Sequence, residues 1–162
     1  QRQMCIRDSL QERLKLNPVL LCGENDRKQA IHDLLTSVGL TPELSQRLPH
    51  QLSGGECQRA AIARALLINP DVLICDEITS ALDVTVQYEV MQLLADIKER
   101  SQTSFLFISH DIALVSNFAE DLVVLKDGIV QEKGSMREVV SAPKSDYTKL
   151  LLSQYREDKD ED

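Results

Sequence analysis

The feature that most constrains this chain is the run Val72-Leu73-Ile74-Cys75, which ends in the acidic pair Asp76-Glu77 and lies between two long helix-prone stretches. A short, continuous apolar run between helices reads as a strand buried on both faces of a parallel sheet, so the fold class expected is α/β. The acidic pair then falls at the strand's C-terminal end, the edge where open α/β sheets bind ligands. A second run, Phe105-Leu106-Phe107-Ile108, reads as another buried strand and delivers Ser109-His110-Asp111 in the same way.

The helical pattern fills the space around these strands. Ala30, Ile31, Leu34, Leu35 and Val38 share one face of a helix over 27–38, and Gly39 follows where a left-handed cap belongs. A connector rich in turn residues (40–51) leads into Leu52-Ser53-Gly54-Gly55-Glu56, and the alanine-rich 57–68 continues as helix. From about Asp83 to Arg100 a longer helix carries the stripe Val86, Val90, Leu93, Leu94 and Ile97, with Asp83 as its N-cap. Lys126-Asp127-Gly128 between Leu122–Leu125 and Ile129–Glu132 is a strong hairpin signal, so the sheet is expected to finish antiparallel. Ser135 with Glu138 suits a capping box, and 147–155 reads as a last helix.

Bulk properties exclude several classes. The formal net charge of −8 argues against a nucleic-acid binder, which would carry a basic stripe to displace counterions. Four cysteines (Cys5, Cys22, Cys57, Cys75) show neither paired nor metal-ligand spacing, which suits a reducing compartment. No apolar stretch approaches the roughly 20 residues needed to cross a bilayer, so membrane association is expected to come through a partner. Residues 1–9 (QRQMCIRDS) are expected to be a foreign or disordered junction outside the fold. Residues 156–162 are expected to be a solvated acidic tail.

The chemistry-bearing residues occur in one order. Ser53, Gly54 and Gly55 precede a helix, so bare N–H groups, a hydroxyl and the positive end of a helix dipole converge where a phosphate could bind. Asp76 ends an apolar strand, where an unpaired carboxylate is costly and a magnesium ion carried on nucleotide phosphates would supply the counter-charge. Glu77 stands one residue on, and His110 follows the next strand.

LSGGE at 52–56, VLICDE at 72–77, SALD at 80–83 and ISHD at 108–111 together resemble the signature loop, Walker B strand, D-loop and switch histidine of ABC ATPases, and the likeness covers nearly all of 10–155. The resemblance implies the C-terminal part of a P-loop nucleotide-hydrolase core, with mainly parallel strands and a closing hairpin over 69–155 and a helical signature subdomain over 10–68. It implies ATP and Mg2+ as ligands. Glu77 would be the general base or water positioner, His110 a contact to the terminal phosphate, and Asp76 the magnesium carboxylate. Ser53, Gly54, Gly55 and Gln58 would serve the nucleotide of a second ATPase subunit, with Asp83 in the turn between the two sites.

No G-x-x-x-x-G-K-[ST] occurs in the sequence, so the resemblance implies a chain cut short of its phosphate loop, inactive and aggregation-prone alone. Gln11 lies near the place of the family's lid glutamine, one residue short in spacing. Leu16-Asn17-Pro18-Val19, TSALDVTVQ at 79–87 and Asp146-Tyr147-Thr148-Lys149-Leu150-Leu151 resemble the peptide and nickel importer branch. That implies a subunit on the cytoplasmic face of the membrane, coupled to two transmembrane permease subunits and indirectly to an extracytoplasmic solute-binding protein. Two other classes share parts of the pattern: a soluble ABC ATPase outside transport, and a non-enzymatic signature donor that completes a partner's site.

Overall fold

A computed structural model describes residues 5–16 and 24–157. The described chain divides into two compact units, one up to Leu106 and one from Phe107.

In the first unit, helices α1 (Ile6–Leu16), α2 (Glu24–Ser37) and α3 (Gly54–Leu66) pack on one another, and α3 also packs on α4 (Val84–Arg100). The core is built from the stripes read in the sequence: Leu35, Val38, Val90 and Leu94 are fully buried, each burial contributing about 2 kcal/mol. The last turns of α3 and α4 carry Arg64 and Lys98 with Arg100, cations that complement the helix dipole.

Gly39 closes α2 as expected. It adopts φ +73, its N–H donates to the Thr36 carbonyl (3.0 Å), and the Leu40 N–H donates to the Leu35 carbonyl (2.9 Å). A Cβ at Gly39 would lie 2.7 Å from Arg59 Nη1, the far end of a long side chain that would have to shift, so the positive φ is the main reason for glycine here. Arg59 ties three elements together: Nη1 donates to the Val38 carbonyl (3.2 Å) and Nη2 to Glu89 Oε2 (3.0 Å).

The expectation that residues 1–9 stand apart from the fold is corrected for 5–9. Ile6–Ser9 open α1, and Cys5, Ile6, Leu10 and Leu14 are buried because the i, i+4 spacing of the last three puts them on one helical face. Residues 1–4, the Asn17-Pro18-Val19 segment, Cys22 and the tail from Asp158 lie outside the described residues. Gln11 is a half-buried residue of α1.

Strand β1 (Val72–Asp76) and strand β2 (Ser104–Ile108) are neighbours in a parallel pair joined through α4. The join is fixed at its start by the Ser104 N–H donating to the Asp71 carbonyl (2.8 Å) and by the Thr103 hydroxyl donating to the Pro70 carbonyl (2.9 Å). The sequence reading of strands buried on both faces is corrected. Along β1, Leu73 and Cys75 are buried whereas Val72 and Ile74 are 56% and 62% exposed, and Leu106 in β2 is 51% exposed. A two-stranded ribbon has two faces and only one is covered here, so the alternation of a half-buried strand wins over the continuous apolar run.

The second unit holds α5 (Ile112–Ser116), the hairpin strands β3 (Asp121–Lys126) and β4 (Ile129–Ser135), α6 (Met136–Ser141) and α7 (Asp146–Glu157). The Asp127-Gly128 turn has φ of +50 and +76, the pair of positive values that a two-residue hairpin turn requires. The strands pair antiparallel from Asp121↔Ser135 to Lys126↔Ile129, with an irregularity between Val124 and Leu125. Ser135 caps α6 by accepting the Glu138 N–H (3.3 Å).

Helix α7 is anchored from outside itself. The Glu132 carboxylate of β4 accepts the N–H groups of Ser145 (3.0 Å) and Lys144 (2.9 Å), which together hold its carboxyl below the usual 4.5. Lys149 does the same for Asp146 at 2.8 Å.

Two outcomes follow from this packing. A carboxyl with a depressed folded-state pKa adds stability above its unfolded pKa and loses it as pH falls through the folded one. Melting temperature should therefore fall as pH drops below about 5, and Glu132→Gln should lower it at neutral pH while flattening that acid slope; a parallel slope in the variant would contradict the assignment. The outward face of β1 should drive self-association: Val72→Thr with Ile74→Thr should reduce light scattering on warming, and unchanged scattering would place the sticky surface elsewhere.

Candidate nucleotide site

Ser53 is the N-cap of α3 in a reciprocal arrangement. Its hydroxyl accepts the Glu56 N–H (3.2 Å), and Glu56 Oε2 accepts the Ser53 N–H (2.8 Å). The signal for this was present in the sequence as Ser-x-x-Glu and passed unread. A hydroxyl that accepts one bond still has a proton to donate, and the N–H groups of Gly54 and Gly55 are the first two of the helix. An incoming phosphate oxygen would therefore meet a hydroxyl donor and two amides at a helix start. Glu56, in the same first turn, fixes the loop and sets a negative charge beside it.

The two glycines have a further reason to lack side chains. A Cβ on Gly55 would lie 2.7 Å from Val86 Cγ1, and one on Gly54 would lie 3.1 Å from Leu82 Cδ2. Gly55 is buried and Gly54 exposed. The signature loop thus rests directly on the segment 82–86, so small size at 54–55 serves packing within the chain as well as access. Gln58 follows in α3, half-buried.

Asp76 is the last residue of β1 and is exposed, and Glu77 follows it, also exposed, with φ +45. A left-handed backbone is uncommon for a residue other than glycine and persists where its surroundings hold it. Here the Glu77 carbonyl accepts both the Ser80 N–H (3.2 Å) and the Ser80 hydroxyl (3.0 Å). The neighbouring Cys75 thiol is buried and pushed up to about 11 by desolvation, so it stays protonated and inert at neutral pH.

Asp83 caps α4, its carboxylate accepting the Val86 N–H (3.0 Å). Between Glu77 and Asp83 the chain makes two overlapping turns, the second closed by the Leu82 N–H on the Thr79 carbonyl (3.0 Å). Ser53, Gly54, Gly55, Gln58, Asp76, Glu77 and Asp83 all belong to the first unit.

His110 belongs to the second unit and is exposed. Its turn is pinned on both sides: the Ser109 hydroxyl accepts the Asp111 N–H (3.0 Å), and the Asp111 carboxylate caps α5 by accepting the Leu114 N–H (3.0 Å). The sequence reading foresaw neither α5 nor this cap.

Among the described residues no group of three or more His, Cys, Asp or Glu side chains converges as a metal cage. Asp76 offers one exposed carboxylate. That fits a magnesium ion delivered on a nucleotide, which is bound by one or two carboxylates, phosphates and water. An open cleft of about 380 Å³ between α2, α3 and α4, lined by Gly39, Arg59, Tyr88, Glu89 and Asp96 among others, contains none of the residues predicted for the site.

A family model described as "ABC transporter" matches residues 5–80. The chain is 40% identical over 148 residues to the di/tripeptide transport ATP-binding protein DppF of Pseudomonas aeruginosa (strain UCBPP-PA14), covering 91% of this chain and 45% of that protein. It is 41% identical over 152 residues to the oligopeptide transport ATP-binding protein OppF of Haemophilus influenzae, covering 93% and 45%. The chain thus spans less than half the length of these relatives. Among solved structures, the dimeric bacterial ABC transporter cassette MJ0796 superposes with a TM-score of 0.71 at 30% identity, over 83% of this chain and 57% of that one. The same cassette in a post-hydrolysis state bound to ADP and Pi gives 0.63 at 34%, over 72% and 50%. The family model, the relatives and these cassettes give one and the same likeness, to the ATP-binding proteins and cassettes of ABC transporters.

Proposed function

We propose that this chain supplies the signature loop and the hydrolytic residues of an ATPase subunit that drives peptide import. The observation that carries the reading is the backbone at Glu77: directly after Asp76, at the end of β1, the chain turns through φ +45 and its carbonyl is tied by Ser80. This presents two exposed carboxylates in succession from one strand end.

Phosphoryl transfer needs little covalent help from the protein; it needs a placed water and compensated charge. Glu77 accepts the proton of the attacking water, or orients that water, at the terminal phosphate. Asp76 would hold a magnesium ion, which would supply positive charge against the phosphate oxygens. His110 donates a hydrogen bond to the terminal phosphate. These three act on the nucleotide held by the phosphate loop of their own subunit.

Ser53, Gly54 and Gly55 act instead on the nucleotide of a second ATPase subunit, with Gln58 following on the same helix. The Ser53 hydroxyl and the glycine amides donate to its phosphate oxygens. Asp83 lies in the turn between the two sets of residues. Closure on two ATP molecules and reopening after hydrolysis is then transmitted to two membrane permease subunits, fed by an extracytoplasmic solute-binding protein, with this subunit peripheral on the cytoplasmic face. No helix among the described residues is long and apolar enough to cross a membrane. Peptide as the cargo rests on the names of the relatives and on the 79–87 and 146–151 segments that resemble them.

In the full-length protein carrying this sequence, Glu77→Gln should abolish steady-state phosphate release, on the order of a hundred-fold or more, while ATP binding survives. Turnover unchanged in that variant would remove Glu77 from the mechanism.

A further inference from the structure

We infer that Gln87 is a positioning residue for hydrolysis: from the first turns of α4 its carboxamide holds the turn that carries Glu77. The inference rests on the reading of Glu77 as the hydrolytic base.

Gln87 is half-buried, and its Nε2–H donates to the Thr79 carbonyl at 3.0 Å, eight residues back in the chain. Thr79 is itself only 6% exposed and stands two residues after Glu77. Its carbonyl also accepts the Leu82 N–H, so one oxygen joins the turn's own closure to helix α4. The preceding turn, Glu77 to Ser80, is closed by the two bonds that hold the left-handed Glu77 in place. A left-handed backbone relaxes unless its flanks are fixed, and Thr79 is such a flank.

The other end of the tie is firm. The Gln87 N–H donates to the Asp83 carbonyl (2.9 Å), Asp83 caps the helix through Val86, and Val86 is seated against Gly55. A shift of the signature helix at Gly55 therefore moves Val86 and its neighbour Gln87, and Gln87 passes the shift to Thr79 and on to Glu77. This gives the chain an internal link between the loop that serves the partner's nucleotide and the base that serves its own.

The chemistry required at position 87 is a hydrogen-bond donor long enough to reach back to Thr79. The side chain of glutamate has nearly the same shape but, when ionised, only accepts, so it would set oxygen against oxygen. Lysine keeps a donor and loses the amide.

The test compares Gln87→Glu and Gln87→Lys in the full-length protein, reading ATPase kinetics and site-resolved amide hydrogen exchange. Gln87→Glu should lower kcat about ten-fold or more with KM changed less than about two-fold, since placement and not binding is lost. Exchange at the Ser80 and Leu82 amides should quicken while Val90 to Leu94 in the core of α4 stay protected, and Gln87→Lys should recover most of kcat and of the protection. Unchanged kcat with unchanged exchange at Ser80 and Leu82 would overturn the inference. So would quickened exchange throughout α4, which would make Gln87 a general stabiliser, or a Gln87→Lys variant as slow as Gln87→Glu. Failure of the hydrolytic reading would show separately, as full turnover in Glu77→Gln, whereas the exchange pattern reports the tie itself.

Discussion

The contact between Gly55 and Val86 governs the first unit. With a Cβ placed 2.7 Å from Val86 Cγ1, no residue other than glycine lets α3 and α4 approach as they do. This approach seats the signature loop on the start of α4, whose cap residue Asp83 ends the turn carrying Glu77. Arg59 reinforces the same junction from the far side, reaching the end of α2 and Glu89 of α4 with one guanidinium. The planar fork of arginine makes both bonds at once, which a single ammonium would not reproduce.

From that junction the site's character follows. In the first unit Ser53, Asp76, Glu77 and Asp83 are exposed, and Ser53 and Glu77 are held in their turns by hydrogen bonds with Glu56 and Ser80; in the second unit Asp111 is held by Ser109 and Leu114. Under the proposed function the second wall of the nucleotide site comes from another chain. The cleft between α2, α3 and α4 carries none of the predicted residues: it is bounded by structural groups, with Arg59 engaged in the packing just described.

How much was legible depends on how local the cause was. The signature, the acidic pair, the Asp83 cap and the Asp127-Gly128 hairpin each rest on a few adjacent residues, and the sequence pattern located them. Ile6, Leu10 and Leu14 also form a readable i, i+4 stripe, but it begins inside residues 1–9, which have no pattern of their own to announce a helix. Val72 and Ile74 misled for the opposite reason: the run is apolar throughout, and only the number of covered faces decides that every second residue is exposed. The Gly55–Val86 and Gln87–Thr79 contacts are not expressed in any local pattern, since glycine and glutamine are common residues whose roles appear only once α3 and α4 lie together.

The central claim is that the signature loop and the hydrolytic residues of one chain serve two different nucleotides, and mixing two inactive variants tests it most directly. Ser53→Asp keeps an N-cap oxygen for the Glu56 N–H but turns a negative charge toward the phosphate, and Glu77→Gln removes the base. Each full-length variant alone should be inactive, whereas the mixture should regain a substantial fraction of turnover, because mixed pairs contain one site with an intact Glu77 facing an intact Ser53. A mixture as inactive as its components would show that both sets of residues act on the same nucleotide, and would contradict the account.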